Sequence, residues 1–372
     1  MFPTIDYLQW IAGRPEAATH DLGSSDLRGS FQRQAGAVPG RLAGLEDPPP
    51  DRELRAQVAD LYDVRPENVL VTAGATSANL LTVATALDEA ETSADDDAGD
   101  EPQVLVEKPG YEPLLATPDA LGARVDRYLR TPETDYQLDP GRVEGAVRSQ
   151  AALVIMTNRH NPTGTLTPVD TIAAAADAAA TEDARLLVDE VYAPYVTDSA
   201  GPEGFGGPTA AGVENVVITN SLTKFMGFGG LRIGWLVADA DFVAHAERIA
   251  DHFPVLARPS VELGKRVFAN QAELAADRRE LLTANHELLA SFVADRPDLD
   301  GTIPSGSSFA LLEHERYDGD ELTAAAWEQA DLLVVPGRFF DVPEAVRVSL
   351  GRDPEDTEAA LSAFGDLLDS LA

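Results

Sequence analysis

Lys224 is the residue whose type and surroundings point most clearly to covalent chemistry. It lies in the Gly-rich segment SLTKFMGFGGLR at 221–232, in a chain that has only three lysines. A lysine held among hydroxyl groups and backbone amides can have its ammonium pKa lowered and become a Schiff-base nucleophile. The alternative is an ordinary surface lysine. Ser221 and Arg232, at the two ends of this segment, could together hold a phosphate, because a guanidinium presents a planar fork of donors.

An acid and a phenol follow another predicted strand. Asp189 comes directly after the apolar run Leu186, Leu187 and Val188, and Tyr192 lies three residues further on. In open α/β sheets, ligands bind at the carboxyl ends of the strands, which is where this carboxylate would lie. Asp189 and Tyr192 could therefore belong to one site. A helix N-cap is the other interpretation of Asp189.

Two segments that join a strand to a helix carry further candidates. Asn161 begins the sequence Asn-Pro-Thr-Gly, and Gly74, Ala75 and Thr76 precede an apolar helix. The free N–H groups at the start of that helix, together with its dipole, form an anion site. Either segment could also be an ordinary turn. Neither a GxxxxGK phosphate loop nor a GxGxxG after a strand occurs, which argues against the nucleotide-binding folds.

Tyr111 and Arg347 are the remaining candidates. Tyr111 follows a predicted strand and could lay its ring on a flat ligand, or it could pack as an ordinary loop tyrosine. Arg347 lies inside an apolar run at 346–350, and a buried guanidinium needs an anionic partner. That partner is either a substrate carboxylate, bound through two parallel hydrogen bonds, or one of the many acids of the chain.

Alternating strands and helices would position these residues. Short apolar or β-branched runs predict buried strands, and helical patterns lie between several of them. The strands are predicted at 68–72, 104–106, 152–157, 185–188, 216–219 and 233–237, and the helices at 78–87, 140–147, 169–180 and 241–250. This alternation indicates an α/β layer with a mostly parallel sheet flanked by helices.

The character of the sequence divides the chain into three parts. Residues 1–45 show no convincing core and are predicted to be an arm that joins the small domain, with 46–258 as the large domain and 259–372 as a smaller α+β domain. The last part has helical periodicity up to residue 292, predicted strands at 308–312 and 346–350, and a final helix after residue 354. The acidic run at 95–97 is predicted to be a solvated loop.

The composition excludes several classes of function. A chain of 372 residues without cysteine has no disulfide, iron–sulfur cluster or thiolate nucleophile, and its six histidines form no HExxH pair, so we expect no metal site. A net charge of −35 repels nucleic acids and anionic membranes, and no export signal is evident, so we expect a cytoplasmic protein that binds neither. The acidic groups repel one another, and about 1 M salt would screen this repulsion by shortening the Debye length to ~3 Å. The charge therefore suggests a halophilic source. The alternative is an ordinary acidic protein.

In this order and at these spacings, the candidate residues resemble the class I/II aminotransferases, a family of fold-type I pyridoxal-phosphate (PLP) enzymes. Positions 161 and 189 are 28 residues apart, 189 and 192 three, 221 and 224 three, and 224 and 232 eight. The resemblance spans about residues 53–361 and depends on the combination of motifs. It implies a large domain with a mostly parallel mixed sheet, a smaller α+β domain, a PLP cofactor and a homodimer with its active sites at the interface.

The resemblance also implies a role for each candidate. Lys224 would hold PLP as an internal aldimine and then move the proton at the substrate α-carbon, while Asp189 would keep the pyridine nitrogen protonated. Arg347 would bind the substrate α-carboxylate beside Asn161, and Gly23 would belong to an N-terminal segment that closes over the substrate. The implied cofactor contacts are Asn161 and Tyr192 at the phenolic oxygen, Tyr111 at the ring, and Gly74, Ala75, Thr76, Ser221 and Arg232 at the phosphate.

Two positions depart from the family pattern. Leu45 occupies a place where many members carry a tyrosine that reaches the neighbouring subunit's phosphate, and Arg159 one where many carry a proline. His160, next to Arg159, is either structural or lies beneath the cofactor ring. The leading hypothesis is a PLP-dependent aminotransferase that exchanges an amino group between an amino acid and a 2-oxo acid. The alternatives are a PLP-dependent lyase or cyclising enzyme, acting by β-elimination or replacement, and a non-catalytic ligand-binding relative.

Overall fold

The computed structural model describes residues 3–29, 38–93, 101–193, 203–205 and 207–371. The acidic run at 95–97 lies outside these residues. The strands of the described part are, in chain order, β1 (His20–Asp21), β2 (Val69–Thr72), β3 (Gln103–Lys108), β4 (Arg124–Leu129), β5 (Ala151–Thr157), β6 (Arg185–Asp189), β7 (Glu203–Gly204), β8 (Gly207–Pro208), β9 (Val216–Ser221), β10 (Gly234–Val237), β11 (Leu299–Asp300), β12 (Phe309–His314), β13 (Leu332–Leu333), β14 (Val335–Pro336) and β15 (Ala345–Ser349).

The α-helices of the same part of the chain cover both faces of the main sheet and form most of the C-terminal region. They are α1 (Asp6–Ile11), α2 (Arg14–Ala17), α3 (Leu54–Leu61), α4 (Ala75–Ser93), α5 (Pro113–Ala120), α6 (Pro140–Ala146), α7 (Val169–Ala180), α8 (Ala240–Ala250), α9 (Arg258–Ala269), α10 (Gln271–Ala294), α11 (Gly319–Ala330) and α12 (Pro354–Leu371). None of them is long and apolar enough to cross a bilayer.

The central sheet has seven strands in the order β2-β10-β9-β6-β5-β3-β4, and only β10 runs antiparallel to its neighbours. Every residue of β5 and β9 is buried, as expected for strands covered by helices on both faces. Alternate residues of β5 pack into different cores: Val154 and Met156 lie in one apolar cluster and Leu153 and Ile155 in another. The predicted α/β class with a mostly parallel mixed sheet is therefore confirmed.

The parallel strands end together at one edge of the sheet. Thr157, at the end of β5, pairs with Asp189 at the end of β6, and Asp189 pairs in turn with Thr219 of β9. The loops that leave these strands carry most of the predicted site residues. The register of the sheet therefore brings together side chains that are far apart in the sequence.

The main differences from the predicted elements occur where hydrophobic patterning is weak. Strand β4 was not predicted, because its sequence RVDRYL at 124–129 mixes charged and apolar residues, as an edge strand does. The helical periodicity predicted up to residue 292 belongs to two helices, α9 and α10, which Asn270 separates. The Nδ2 of Asn270 donates to the carbonyl of Glu46, 2.9 Å away, and so ties this junction to the residues before α3.

The C-terminal residues form a second, four-stranded antiparallel sheet in the order β11-β12-β15-β14. The N-terminal arm joins this region, because β1 pairs in parallel with β13. The arm also reaches the first sheet, since the N–H of Leu27 donates to the carbonyl of Lys224 at 2.9 Å. The domain boundaries after residues 45 and 258 stay predictions.

Candidate active site

Lys224 lies in the loop after β9, and its amine contacts a chain of two hydroxyl groups. Its Nζ donates to Ser25 Oγ at 3.1 Å, and Ser25 Oγ lies 2.8 Å from the hydroxyl oxygen of Tyr192. The same Nζ is 5.6 Å from the centre of the Tyr192 ring. The N-terminal arm and the loop after β6 therefore both contact the lysine that the sequence singled out.

The pKa of Lys224 is shifted in the direction opposite to the expected one. Desolvation by burial lowers the pKa of Lys224, but its electrostatic interactions with Tyr192, Tyr7 and Asp26 raise it by more, so the net shift is upward. The sequence showed the hydroxyl-rich loop and Tyr192, but not Tyr7 and Asp26, which the fold also brings to Lys224. The upward shift of the pKa favours the ammonium form of Lys224.

Asp189 is a buried carboxylate that is held from two directions. Its Oδ2 accepts from Asn79 Nδ2 at 2.8 Å and its Oδ1 from the N–H of Val191 at 3.2 Å, while Asn79 is oriented by a 2.6 Å bond from the Thr219 hydroxyl. Burial raises the pKa of Asp189, and the two donors and the Lys224 charge lower it by less. The bond from the N–H of Val191 to Asp189 Oδ1 resembles the bond of a helix N-cap. The other carboxylate oxygen of Asp189, however, is bound by Asn79 at the edge of the sheet. Asp189 and Lys224 are thus close enough to interact electrostatically.

A cradle for an anion lies where α4 begins. Gly74 has a φ of +86°, and a Cβ on it would lie 2.7 Å from Arg232 Nη2, so glycine lets the guanidinium approach the backbone. Arg232 Nη2 also donates to the carbonyl of Ala73 at 3.1 Å. The N–H groups of Ala75 and Thr76 belong to the first turn of α4, where the helix itself provides no acceptor.

Strand β10 completes this cradle. A Cβ on Gly234 would lie 2.4 Å from the carbonyl carbon of Gly74, so β10 passes directly against the start of α4. Gly234 pairs with Ser221 on one side and Thr72 on the other, which places Ser221 beside the cradle. Gly234 was missed by the sequence analysis, because an isolated glycine in a strand gives no signal of what approaches it.

Arg347 is a buried guanidinium without an acidic partner. It is 1% exposed, its Nη1 donates to Asn161 Oδ1 at 2.8 Å, and its carbon lies 4.6 Å from the Phe340 ring centre and 5.4 Å from that of Phe309. Its Nε is buried and has no hydrogen-bond partner. No carboxylate of the described residues lies within 4.0 Å of it. Of the two partners considered for Arg347, a salt bridge to an acid is not formed within the described part of the chain, and a ligand carboxylate fits.

Tyr111 and Gly23 lie at the borders of the same site. Burial raises the pKa of Tyr111, and the neighbouring Tyr7, Tyr192 and Asp189 raise it further, which places the Tyr111 ring among the site residues. The carbonyl of Gly23 accepts from the Ser349 hydroxyl at 3.4 Å, on the strand that carries Arg347. All the predicted site residues thus lie at the carboxyl edge of the central sheet or next to it, and their roles stay predictions.

A buried ion pair positions the segment that begins with Asn161, and sequence reasoning did not find it. The side chains of Glu107 and Arg130 are fully buried, with Arg130 Nη1 2.7 Å from Glu107 Oε2. Glu107 Oε1 accepts from the Thr157 hydroxyl at 2.6 Å, and the N–H of Asn161 donates to that hydroxyl oxygen at 2.9 Å. Nothing in the sequence links Glu107 to Arg130, since the pair depends on two neighbouring strands.

The departures from the family pattern have structural partners. His160 is fully buried, with Nδ1 2.7 Å from Thr163 Oγ1 and Nε2 3.1 Å from the carbonyl of Pro109, which favours a structural role. Arg159 donates to the carbonyls of Gly164 at 2.8 Å and Ser305 at 2.6 Å, and burial lowers its pKa to about 10. Leu45 is half-buried against the main apolar core.

Three further site residues had no usable signal in the sequence. Ser25 and Tyr7 come from the N-terminal arm, and Asn79 lies one turn into α4. Asn79 is a polar residue in an apolar helix, which is a weak indication of a buried contact. Ser25 and Tyr7 lie on irregular or short elements that only the tertiary fold brings to Lys224.

Together these groups suit a planar cofactor that carries a phosphate. The cradle at α4 offers backbone N–H groups and a guanidinium to an anion, and the buried carboxylate of Asp189 suits a cationic ring nitrogen. The Oδ1 of Asn161 accepts a hydrogen bond from Arg347, so its Nδ2 can donate to a ligand oxygen. The residues present therefore fit PLP, the cofactor implied by the resemblance.

Comparisons with known proteins agree with this interpretation. The family described as "Aminotransferase class I and II" matches residues 32–364. A histidinol-phosphate aminotransferase of Rubrobacter xylanophilus is 28% identical over 270 residues, which cover 70% of this chain and 72% of the relative. The crystal structure of a PLP-dependent aminotransferase from Streptococcus suis superposes with a TM-score of 0.83 at 22% identity, covering 100% and 99% of the two chains. A PLP-dependent cyclase superposes with a TM-score of 0.79 at 24% identity, covering 100% and 98%.

We expect Glu107→Gln to lower the free energy of unfolding by about 3 to 5 kcal/mol, because it leaves the Arg130 charge buried and unpaired. Urea denaturation measures this value. Glu67→Gln is the control, since Glu67 and Arg65 form a pair with 51% and 72% of their side chains exposed, and pairs of this kind contribute about 0 to 1 kcal/mol.

Replacing both members of the buried pair by methionine should restore much of the lost stability, because an apolar pair needs no charge compensation. If Glu107→Gln lowers the free energy of unfolding by less than about 1 kcal/mol, Glu107 and Arg130 do not form a buried ion pair.

Proposed function

The chain belongs to the class I and II aminotransferase family, and we propose that its active site is the cluster around Lys224, Asp189 and Arg347. The protein is a PLP-dependent aminotransferase, which acts on amino acids and 2-oxo acids. The observation that carries the site assignment is Arg347, a buried guanidinium that has no acid to pair with among the described residues. A charge buried in this way is costly unless a ligand supplies its partner.

Arg347 would bind the α-carboxylate of the substrate. Guanidinium and carboxylate groups match in shape and can form two parallel hydrogen bonds. The 2.8 Å bond from Nη1 to Asn161 and the rings of Phe309 and Phe340 hold the guanidinium in place before a substrate arrives. An amino acid and a 2-oxo acid share this carboxylate, so one arginine serves both half-reactions.

The residues of the sheet edge would hold PLP. Bound PLP supplies an electron sink that accepts the charge left when the substrate α-proton is removed. Asp189 would bind the pyridine nitrogen and keep it protonated, because a cation beside it relieves the cost of its buried charge. Asn161 and Tyr192 would donate to the phenolic oxygen, and Tyr111 would pack on the ring. The phosphate would be held by Gly74, Ala75, Thr76, Ser221 and Arg232.

Lys224 would hold the cofactor and move a proton at the substrate α-carbon. Ser25 and Tyr192 fix the position of its Nζ through the chain of bonds at 3.1 and 2.8 Å. An amine that loses its charge in this site becomes a general base. The same Nζ could then return the proton to the cofactor side of the substrate, so one residue serves both directions of transfer.

A half-reaction with an amino acid alone tests this function. An aminotransferase converts its bound PLP to the amine form in one turnover and releases one 2-oxo acid but no ammonia, whereas a lyase keeps releasing both without an acceptor. We expect the former, measured by the loss of the PLP absorbance together with an ammonia assay. Continuous release of ammonia would contradict the proposal.

Arg347→Met should lower kcat/KM for the amino donor by about 10- to 100-fold, because a hydrogen bond to a charged group contributes about 1.5 to 3 kcal/mol. PLP binding, followed by absorbance, should be preserved, since Arg347 contacts no predicted cofactor ligand except Asn161. Arg65→Met is the control, because Arg65 is 72% exposed. An unchanged kcat/KM for Arg347→Met would exclude Arg347 from substrate binding.

We further propose that the protein is a homodimer in a salt-rich cytoplasm. Two of the largest exposed apolar side chains, Phe253 at 45% and Val255 at 93%, lie in the segment between α8 and α9, where a second copy could cover them. The net charge of −35 with only three lysines favours an environment in which salt screens the repulsion.

Sedimentation and thermal unfolding at low and high KCl test both statements. We expect a dimer whose melting temperature rises between 0.1 and about 2 M KCl, because the Debye length falls from about 10 Å to less than ~3 Å. Val255→Asp should shift the equilibrium towards monomers, while Glu67→Gln should not. A monomeric wild-type protein, or a melting temperature that falls with salt, would contradict the respective proposal.

A further inference from the structure

Tyr7, on the short N-terminal helix α1, is close to both Arg347 and Lys224. Its side chain is 8% exposed, and its hydroxyl oxygen lies 3.5 Å from Arg347 Nη2. It also lies close enough to Lys224 to interact with it electrostatically. A substrate with its carboxylate on Arg347 and its α-carbon at Lys224 would therefore lie against Tyr7. None of the roles described above uses this residue.

Glu112 fixes helix α1 at the site. Its Oε1 accepts from the N–H of Asp6 at 2.8 Å and its Oε2 from the N–H of Tyr7 at 2.7 Å, so one carboxylate binds two of the free donors at the start of the helix. Glu112 directly follows Tyr111 in the chain. The anchor of α1 and the ring expected to pack on the cofactor therefore belong to one segment.

The ring of Tyr7 packs in a group of aromatic side chains, which we call the aromatic wall and which consists of Tyr7, Tyr111, Phe339 and Phe340. The Tyr7 ring centre lies 5.7 Å from that of Tyr111, 5.6 Å from that of Phe339 and 5.9 Å from that of Phe340. Phe340 also stacks on the Arg347 guanidinium at 4.6 Å. The aromatic wall thus contacts Arg347, the residue proposed to bind the substrate carboxylate, through Phe340 and continues from there to Tyr7.

The arginines next to the wall are engaged elsewhere. Arg338 stacks on Phe339 at 4.4 Å and is paired with Asp320. Arg14 stacks on Trp10 at 4.6 Å, and its Nε donates to the Trp10 carbonyl at 2.8 Å. A second carboxylate on the substrate would meet rings here, and of the two arginines Arg338 already has an acid as its partner, while Arg14 lies between the rings of Trp10 and Trp327.

We propose, on the basis of the function proposed above, that Tyr7 contacts the bound amino acid and that the aromatic wall selects donors with apolar, above all aromatic, side chains over dicarboxylic ones. An aromatic side chain gains the edge-to-face contacts that these rings already make with one another. A side-chain carboxylate would lose its hydration without gaining a partner.

A panel of donors in the half-reaction tests the proposal on the PLP-loaded protein. We expect kcat/KM for phenylalanine to exceed that for aspartate by about tenfold or more, which is the range that apolar pockets provide. Tyr7→Ala should lower kcat/KM for phenylalanine by about 10- to 100-fold but that for alanine by much less, whereas Tyr7→Phe should keep the ratio of the two donors. The matched control is Leu8→Ala, on the same helix, because Leu8 is 43% exposed.

A binding measurement keeps the proposal falsifiable if turnover fails. Calorimetric titration of the PLP-loaded protein with 3-phenylpropionate and with succinate compares an aromatic with a dicarboxylic ligand, and neither ligand carries an amino group to react. Tighter binding of 3-phenylpropionate, weakened by Tyr7→Ala but not by Leu8→Ala, supports the wall. Tighter binding of succinate, a preference for aspartate, or an equal loss for all donors in Tyr7→Ala would overturn it. Absence of any half-reaction despite bound PLP would instead contradict the proposed function.

Discussion

The buried carboxylate of Asp189 is the group on which the rest of the site depends. It lies at the end of the buried strand β6, held by Asn79 and Val191 and close to the charge of Lys224. A carboxylate in such surroundings is costly when it is alone, and it becomes favourable when a cation lies beside it. The site therefore favours a ligand with a positively charged ring nitrogen, close to the amine of Lys224.

Arg347 follows the same logic with the opposite sign. It is buried beside two aromatic rings, and within the described residues its Nε has no hydrogen-bond partner and its other nitrogens contact a neutral amide and a phenol. By contrast, Arg130 is equally buried but has Glu107 as its partner, and this pair orients the loop of Asn161. Arg130 thus has a structural role, whereas Arg347 is suited to bind a ligand.

The sequence predicted the elements whose patterning is strong. The apolar strands and the loops after them follow from local composition, so Lys224, Asp189, Asn161 and the start of α4 could be placed at one edge. Strand β4 was not found because its sequence mixes charged and apolar residues. The pKa of Lys224 shifts upward, contrary to the expectation, and two of the residues that raise it, Tyr7 and Asp26, approach it only in the folded chain. Contacts that join distant segments, such as Ser25 with Lys224, have no local signature. The aromatic wall could not be predicted for the same reason.

The most direct test of the account is to identify the lysine that binds PLP. Reduction of the PLP-loaded protein with borohydride makes the attachment permanent, and peptide mass spectrometry then locates it among the three lysines of the chain. The account predicts the added mass on the peptide that contains Lys224 and none on those that contain Lys108 or Lys265. Attachment at Lys108 or Lys265, or none in a protein that retains PLP, would contradict it.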